Sequence, residues 1–275
     1  MTTYTTGIDV GSTYTKAVII KDGNEIVSRA MLNTGFRLEE AARKAYETAL
    51  EQAGLGESDS SYLVTTGFGR HLVGFRDVNV TDINASARGA ALLFPKTRTI
   101  LDVGGQTMKA IQLTEEGRVK SFRLNDKCAA GTGAFLEKTA RYMGYKTEEI
   151  GTLAAVSKTT VPISGVCAVF AESEVINHLS QGMSPSDIMY GSIVSLVARS
   201  VQLLKRVGMN PEFTLIGGIL RFESMSHVVR EQIKTEVNVA EGDLVQYVTA
   251  LGAAILGYRR FEKLQREGQQ VIAGA

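Results

Sequence analysis

Two cysteines, Cys128 and Cys167, are all that 275 residues contain, too few for a disulfide scaffold. In a reducing compartment they leave three readings: inert core residues, a redox pair, or metal ligands. Only four prolines occur and no Pro-rich or Ser-rich stretch divides the chain, so closely hinged lobes are expected rather than tethered ones. No run approaches the roughly 18 apolar residues that span a bilayer, and the first residues lack the charged stretch and apolar core of a signal peptide. The expected location is cytoplasmic, with no membrane partner. Charge of one sign is also missing: 30 Lys plus Arg against 29 Asp plus Glu leave +1, which points to neither nucleic acid nor an anionic surface. The basic run at 258–263 reads as a solvated helix face. His71, His178 and His227 share no ligand spacing and read as structural or surface residues.

What is present suits a folded enzyme. Hydrophobic residues at 44% and charged residues at 21% are ordinary globular values, and the length fits two modest lobes sharing a cleft. Tyr4–Val10, 16–20 and a third short segment after the turn at 21–24 read as a β-meander. From about Leu38 to Ala53 the spacing predicts a helix with Ala41, Ala45, Ala49 and Leu50 on one face, closed by Gly54. A strand at 62–66 ends at Gly67. Then the order recurs: strand 97–103, strand 109–114, a Glu115-Glu116-Gly117 turn, strand 119–124. Periodicity predicts helices over 133–156, 168–182 and 185–206, a strand at 213–216, and a last helix over about 245–264.

The two openings, Gly7-Ile8-Asp9-Val10-Gly11 and Leu101-Asp102-Val103-Gly104-Gly105, echo each other about 93 positions apart, which suggests two related halves. A strand that ends in Asp and runs into Gly11-Ser12-Thr13 exposes backbone N–H groups and short hydroxyls to phosphate oxygens. Asp9 and Asp102 at equivalent points suit a hydrated Mg²⁺ held through its water shell. Lys16 reads as a positive charge near the phosphates or as a surface residue, and Gln106 as a water-orienting or γ-phosphate-sensing group or a turn cap. A third glycine element, Thr214-Leu215-Ile216-Gly217-Gly218-Ile219, lets backbone approach a base or ribose.

These three segments resemble the two phosphate motifs and the adenosine motif of the superfamily of acetate and sugar kinases, heat-shock chaperone ATPases and actin. The resemblance implies an α/β fold of two ribonuclease-H-like lobes with ATP or ADP and Mg²⁺ between them. Residues 1–94, joined by the C-terminal helix at about 245–275, are expected to form one lobe and residues 95–244 the other. Gly11, Ser12, Thr13, Lys16, Gly104, Gly105, Gly217 and Gly218 would bind nucleotide, with Asp9, Asp102 and Gln106 at the reacting end.

Each cysteine stands before a helical pattern, Cys128 in Asn125-Asp126-Lys127-Cys128-Ala129-Ala130-Gly131-Thr132-Gly133 and Cys167 in Ser164-Gly165-Val166-Cys167-Ala168. Helix starts lower a thiol's pKa and stabilise anionic sulfur. A cubane cluster usually takes four thiolates, one chain supplies two, and two chains on a twofold axis supply four.

Together, segments 7–16, 102–106, 125–133 and 167–174 resemble the activator component of 2-hydroxyacyl-CoA dehydratases, in the family that includes benzoyl-CoA reductase ATPase subunits. This resemblance implies a homodimer, or a heterodimer with a similar subunit, around one [4Fe-4S] cluster held by Cys128 and Cys167 of both chains. It implies ATP-driven transfer of a low-potential electron to an iron-sulfur dehydratase or reductase, with ferredoxin or flavodoxin as the donor. The chain departs from the family pattern at Thr107, where an acidic residue is more usual, and at Thr81-Asp82-Ile83-Asn84-Ala85. A small-molecule kinase of the same superfamily is the competing class, but kinases need a carboxylate base beside the acceptor hydroxyl, and no acceptor motif is evident. An actin-like scaffold explains neither cysteine.

Overall fold

The computed structural model describes residues 2–125, 131–164 and 168–273. Two units emerge, residues 1–95 with 247–275 and residues 96–246.

The first unit is a five-stranded sheet in the order β3-β2-β1-β4-β5. β1 (Tyr4–Val10), β2 (Tyr14–Lys21) and β3 (Glu25–Asn33) form the antiparallel meander. β4 (Ser60–Thr66) and the two-residue β5 (Val78–Asn79) join in parallel. α1 (Leu38–Ala53) lays Ala41, Ala45, Ala49 and Leu50 on one face of the sheet, and Gly54 caps it in the left-handed conformation that a residue without Cβ adopts freely. Under α1, Ile8, Val10 and Ile19 are fully buried, each contributing roughly 2 kcal/mol of apolar burial.

The other face is covered by α2 (Asp82–Leu93) and α8 (Val248–Ala273). Here small residues set the distance: a Cβ at Gly7 would stand 2.0 Å from the Ala250 carbonyl, and one at Gly252 would stand 1.7 Å from the Ala85 carbonyl. Thr5 Oγ1 donates to the Ala254 carbonyl at 3.0 Å. The end of the chain is thus built into the sheet that starts it.

In the second unit the order is β10-β9-β6-β7-β8, formed by β6 (Thr99–Val103), β7 (Met108–Leu113), β8 (Val119–Asn125), β9 (Phe213–Ile216) and β10 (Val237–Val239). Each pairing keeps the sense of its counterpart: β6-β7 and β7-β8 are antiparallel, β6-β9 and β9-β10 parallel. β6 and β7 are buried along their whole length. The helices are α3 (Gly133–Tyr142), α4 (Ile150–Ala155), α5 (Ala168–Ser180), α6 (Pro185–Val207) and α7 (Glu223–Ile233). The single helix expected over 133–156 is broken, because Gly144 turns the chain at φ 83° between α3 and α4. α8 is also longer than expected, and α2, α7, β5 and β10 are additions to the sequence reading.

Candidate functional site

The β1-β2 turn places Asp9 directly across from Lys16 in the antiparallel register, and Lys16 Nζ lies 3.2 Å from Asp9 Oδ2. Between them Gly11-Ser12-Thr13 forms the turn, with all three residues half-buried. The turn is pinned to the end of β3: Thr34 Oγ1 donates to the Gly11 carbonyl and Thr34 N–H donates to the Thr13 carbonyl, both at 2.9 Å. A Cβ at Gly11 would meet the Tyr14 carbonyl at 2.7 Å, so the tightness of this turn requires glycine.

A second loop, after β4, closes on the same carboxylate. Gly67 has φ 85°, and a Cβ there would stand 2.4 Å from Asp9 Oδ1 and 2.7 Å from the Val10 carbonyl. Gly69 N–H donates to the Val10 carbonyl at 2.9 Å. Asp9 therefore has one oxygen against a lysine and the other beside bare backbone, the kind of surroundings that hold a carboxylate in one orientation.

The second unit repeats this arrangement. Asp102 pairs with Lys109 across β6 and β7, Nζ to Oδ2 at 2.8 Å, with the two side chains 7% and 9% exposed. Gly104 N–H donates to the Thr107 carbonyl at 2.8 Å and closes the turn, so this donor is already engaged. Gly105 is half-buried and Gln106 exposed at the turn. Thr107, the family departure, serves the turn through its backbone. Gly217, at the end of β9, has φ 107°, and a Cβ there would meet the Val103 carbonyl at 2.3 Å. A short helix, Gly218–Arg221, follows.

The sequence motifs include Lys16 and Gly217 but not their counterparts Lys109 and Gly67. The signal is available: adding 93 to Lys16 gives Lys109, and both glycines end the strand parallel to the Asp-bearing one. Asp82, at the other departure, begins α2. Its Oδ1 accepts from Ile83 N–H at 3.0 Å, while Thr81 Oγ1 caps the helix by accepting from Asn84 N–H at 3.3 Å.

Cys128 and Cys167 lie outside the described residues. Their approaches are described. The carbonyls of Gly104 and Gly105 accept hydrogen bonds from Gly133 N–H (2.9 Å) and Ala134 N–H (2.8 Å), fastening the first turn of α3 to the Gly-Gly loop. Ahead of Cys167, the chain at Val161 crosses α6 at Gly191, where a Cβ would stand 1.9 Å from the Val161 carbonyl. Ser164 N–H donates to the Glu174 carboxylate, and His178 Nε2 lies 3.2 Å from the Pro162 carbonyl. Upstream, Asp187 Oδ1 gathers the N–H groups of Lys158 and Thr159 and the Ser157 hydroxyl at 2.7–3.1 Å. The Thr159 and Lys158 N–H bonds, then the Ser157 hydroxyl, hold its carboxyl below the usual range. α3 and α5 are tied to each other: Glu172 accepts from Lys138 Nζ and from the Tyr142 hydroxyl, both at 3.2 Å. The helices that follow the two cysteines are therefore neighbours. Among the described residues, no three His, Asp or Glu side chains gather as a metal site.

Residues 6–257 match the BadF/BadG/BcrA/BcrD ATPase family. The chain belongs to this ATPase family. The ATPase is 41% identical over 260 residues to the activator of lactoyl-CoA dehydratase from Anaerotignum propionicum, covering 94% of this chain and 99% of the relative. It is 37% identical over 281 residues to a subunit of the benzoyl-CoA reductase from Thauera aromatica, covering 99% of each. Among solved structures, the activator of the 2-hydroxyisocaproyl-CoA dehydratase from Clostridium difficile with bound ADPNP, an ATP analogue, superimposes with a TM-score of 0.91. It is 36% identical to the ATPase, with 96% of this chain and 97% of that one covered. The fold of this ATPase is thus the two-lobed actin-like one.

Proposed function

We propose that this chain is an ATP-driven, low-potential electron donor that activates a 2-hydroxyacyl-CoA dehydratase or a related CoA-ester reductase. The observation that carries the reading is the fastening of α3, the helix after Cys128, to the carbonyls of the Gly104-Gly105 loop. A loop that responds to the γ-phosphate pulls on that helix directly, and the Glu172 contacts carry the pull to α5. Nucleotide turnover can drive electron transfer only if the ATP and ADP states differ in affinity, potential or distance to the acceptor, and this linkage supplies a route to such a difference.

In this reading the Gly11-Ser12-Thr13 turn with Lys16 and the Gly104-Gly105 loop take the phosphates, Gly217 and Gly218 take the adenosine, and Asp9 and Asp102 take Mg²⁺ through water. Lys16 and Lys109 keep the two carboxylates oriented. Gln106, exposed at its turn, would orient the attacking water. Cys128 and Cys167 of two chains would hold one [4Fe-4S] cluster. Two thiols per chain, each ahead of a helix start, suit that donor set, since Cys167 directly precedes the first residue of α5. The cluster, when present, supplies a one-electron carrier. The electron enters from a ferredoxin or flavodoxin and leaves to the iron-sulfur acceptor.

Iron and acid-labile sulfide counted per dimer in oxygen-free protein test this reading. The expected result is a brown protein with about four irons per two chains that Cys128→Ser and Cys167→Ser each bleach. A colourless, iron-free monomer that still hydrolyses ATP would overturn it. The similarity to a benzoyl-CoA reductase subunit favours one variant, in which a similar subunit replaces the second copy. Native mass spectrometry of the complex separates the two assemblies.

A further inference from the structure

Two residues flank Asp9 on its own face of the first sheet. The register sets Lys16 of β2 beside it on one side and Thr66 of β4 on the other. Lys16 takes Oδ2 at 3.2 Å. Thr66 is fully buried, and its Oγ1 makes no hydrogen bond among the described residues. The hydroxyl next to it in sequence, Thr65 Oγ1, donates to the Arg70 carbonyl at 2.9 Å, so this strand end satisfies one hydroxyl and leaves the other without a partner. A buried hydroxyl of that kind is less favourable than a methyl group of the same shape.

The second unit has the same position filled differently. Asp102 has Lys109 on one side and Ile216 of β9 on the other, and Ile216 is buried. Gly67 and Gly217 follow at matching points, where a Cβ would meet the carbonyls of Val10 and Val103. The architecture therefore accepts an aliphatic side chain there, and packing alone does not call for Thr66. The lysines differ in step with this. Lys109 lies 2.8 Å from Asp102 in the more buried pair, whereas Lys16 is farther from Asp9 and 16% exposed. Lys16 Nζ also lies 3.6 Å from the point where a Cβ on Gly11 would stand, alongside the first residue of the turn expected to take phosphate. The half with the looser lysine is the half with the unpartnered hydroxyl.

We propose that Thr66 is a positioning residue that takes the place of Lys16 on Asp9 when nucleotide is bound. This deepens the function proposed above and rests on its nucleotide-binding part, in which Lys16 both meets the phosphates and orients Asp9. Phosphate at the Gly11-Ser12-Thr13 turn draws the Lys16 ammonium away from Asp9 Oδ2. Strands about 4.8 Å apart bring the Thr66 hydroxyl within reach of the neighbouring carboxylate by rotation about χ1. Asp9 Oδ1 lies over the Thr66-Gly67 end of β4, 2.4 Å from the Cβ position of Gly67. Thr66 Oγ1 then donates to Asp9, and the carboxylate keeps its direction toward the hydrated Mg²⁺. Asp102 needs no second partner, because Lys109 is held in the more buried pair and stays.

The test uses the whole chain and a double-mutant cycle read by urea denaturation without nucleotide. Thr66→Val removes the hydroxyl and keeps the shape. In the wild-type background it should leave the folding equilibrium unchanged or raise it. In Lys16→Met, where Asp9 has already lost its lysine, the same substitution should lower the folding constant about tenfold. Calorimetric titration of Mg²⁺ into the ADP-saturated protein should show about tenfold weaker binding in Thr66→Val and near wild-type binding in Thr66→Ser. Equal effects of Thr66→Val in the two backgrounds overturn the inference. So does a loss of stability in the wild-type background, since the hydroxyl would then already be partnered. Wild-type Mg²⁺ affinity in Thr66→Val, or equal losses in the valine and serine variants, overturns it too. A wild-type chain that binds neither ADP nor Mg²⁺ overturns the proposed function instead, and the stability cycle then decides the role of Thr66 alone.

Discussion

Lys109 lies 2.8 Å from Asp102 with both side chains less than a tenth exposed, and Lys16 meets Asp9 from the same cross-strand position at 3.2 Å. Both pairs are separated by seven positions in sequence. Removing one partner of a buried pair leaves an uncompensated charge. Lys109→Met is therefore expected to destabilise the fold by about 3 kcal/mol, read by urea denaturation, whereas Lys109→Arg should recover part of the loss. Lys16→Met should cost less, because its pair is 16% and 12% exposed.

Gly217→Ala places a methyl 2.3 Å from the Val103 carbonyl at a backbone φ of 107°. Strain of this kind costs on the order of 1–3 kcal/mol, and here it falls at the expected adenosine element. The variant should lose both thermal stability and affinity for a fluorescent ATP analogue. Gly67→Ala, against Asp9, is expected to act on stability and on Mg²⁺-dependent hydrolysis.

Gly133→Ala tests the fastening of α3. The added methyl would stand 3.2 Å from the Gly104 carbonyl and 3.0 Å from Ile219 Cγ2, so the turn or these neighbours must give by a few tenths of an ångström and the two hydrogen bonds to the loop loosen. ATP hydrolysis should continue near the wild-type rate while electron transfer to the acceptor drops about tenfold, a loss of about 1.4 kcal/mol of coupling. An equal fall in both rates would show that the contact serves the loop alone.

Asp187 carries a pH dependence. Its carboxyl is held low first by the Thr159 N–H bond, then by those from Lys158 N–H and the Ser157 hydroxyl. A folded pKa below the unfolded one contributes stability that is present above the unfolded value and lost as pH falls through the folded one. Asp187→Asn should therefore be less stable than wild type at pH 7, with the gap closing in acid below about pH 4. Paired urea titrations at pH 7 and pH 3 check the sign.

The parts of the fold legible in the sequence are those in which a local pattern and a local packing requirement coincide. α1 is legible because Ala41, Ala45 and Ala49 repeat at the helical period and Gly54 ends it. The doubled Asp-x-Gly hairpin is legible because each copy carries its own turn. α2 is not, because its close approach to α8 depends on Gly252, more than 150 positions away. β5 and β10, of two and three residues, exist only as additions to a parallel neighbour. Within the candidate site, Asp9, Lys16, Asp102 and Gly217 were legible beside their glycine turns, whereas Lys109 and Gly67 were not. Lys109 sits in a fully buried strand, where a cation reads as an error in the pattern until its carboxylate partner is found.

The return of α8 to the first sheet fixes an order of events during synthesis. Gly7 and Thr5 lie against Ala250 and Ala254, so the first unit stays without one of its covering layers until α8 has left the ribosome. The body encoded in the middle has all its strands by then and can close earlier. A released chain truncated after residue 246 should therefore yield a protease-resistant second unit beside a first unit that is still digestible.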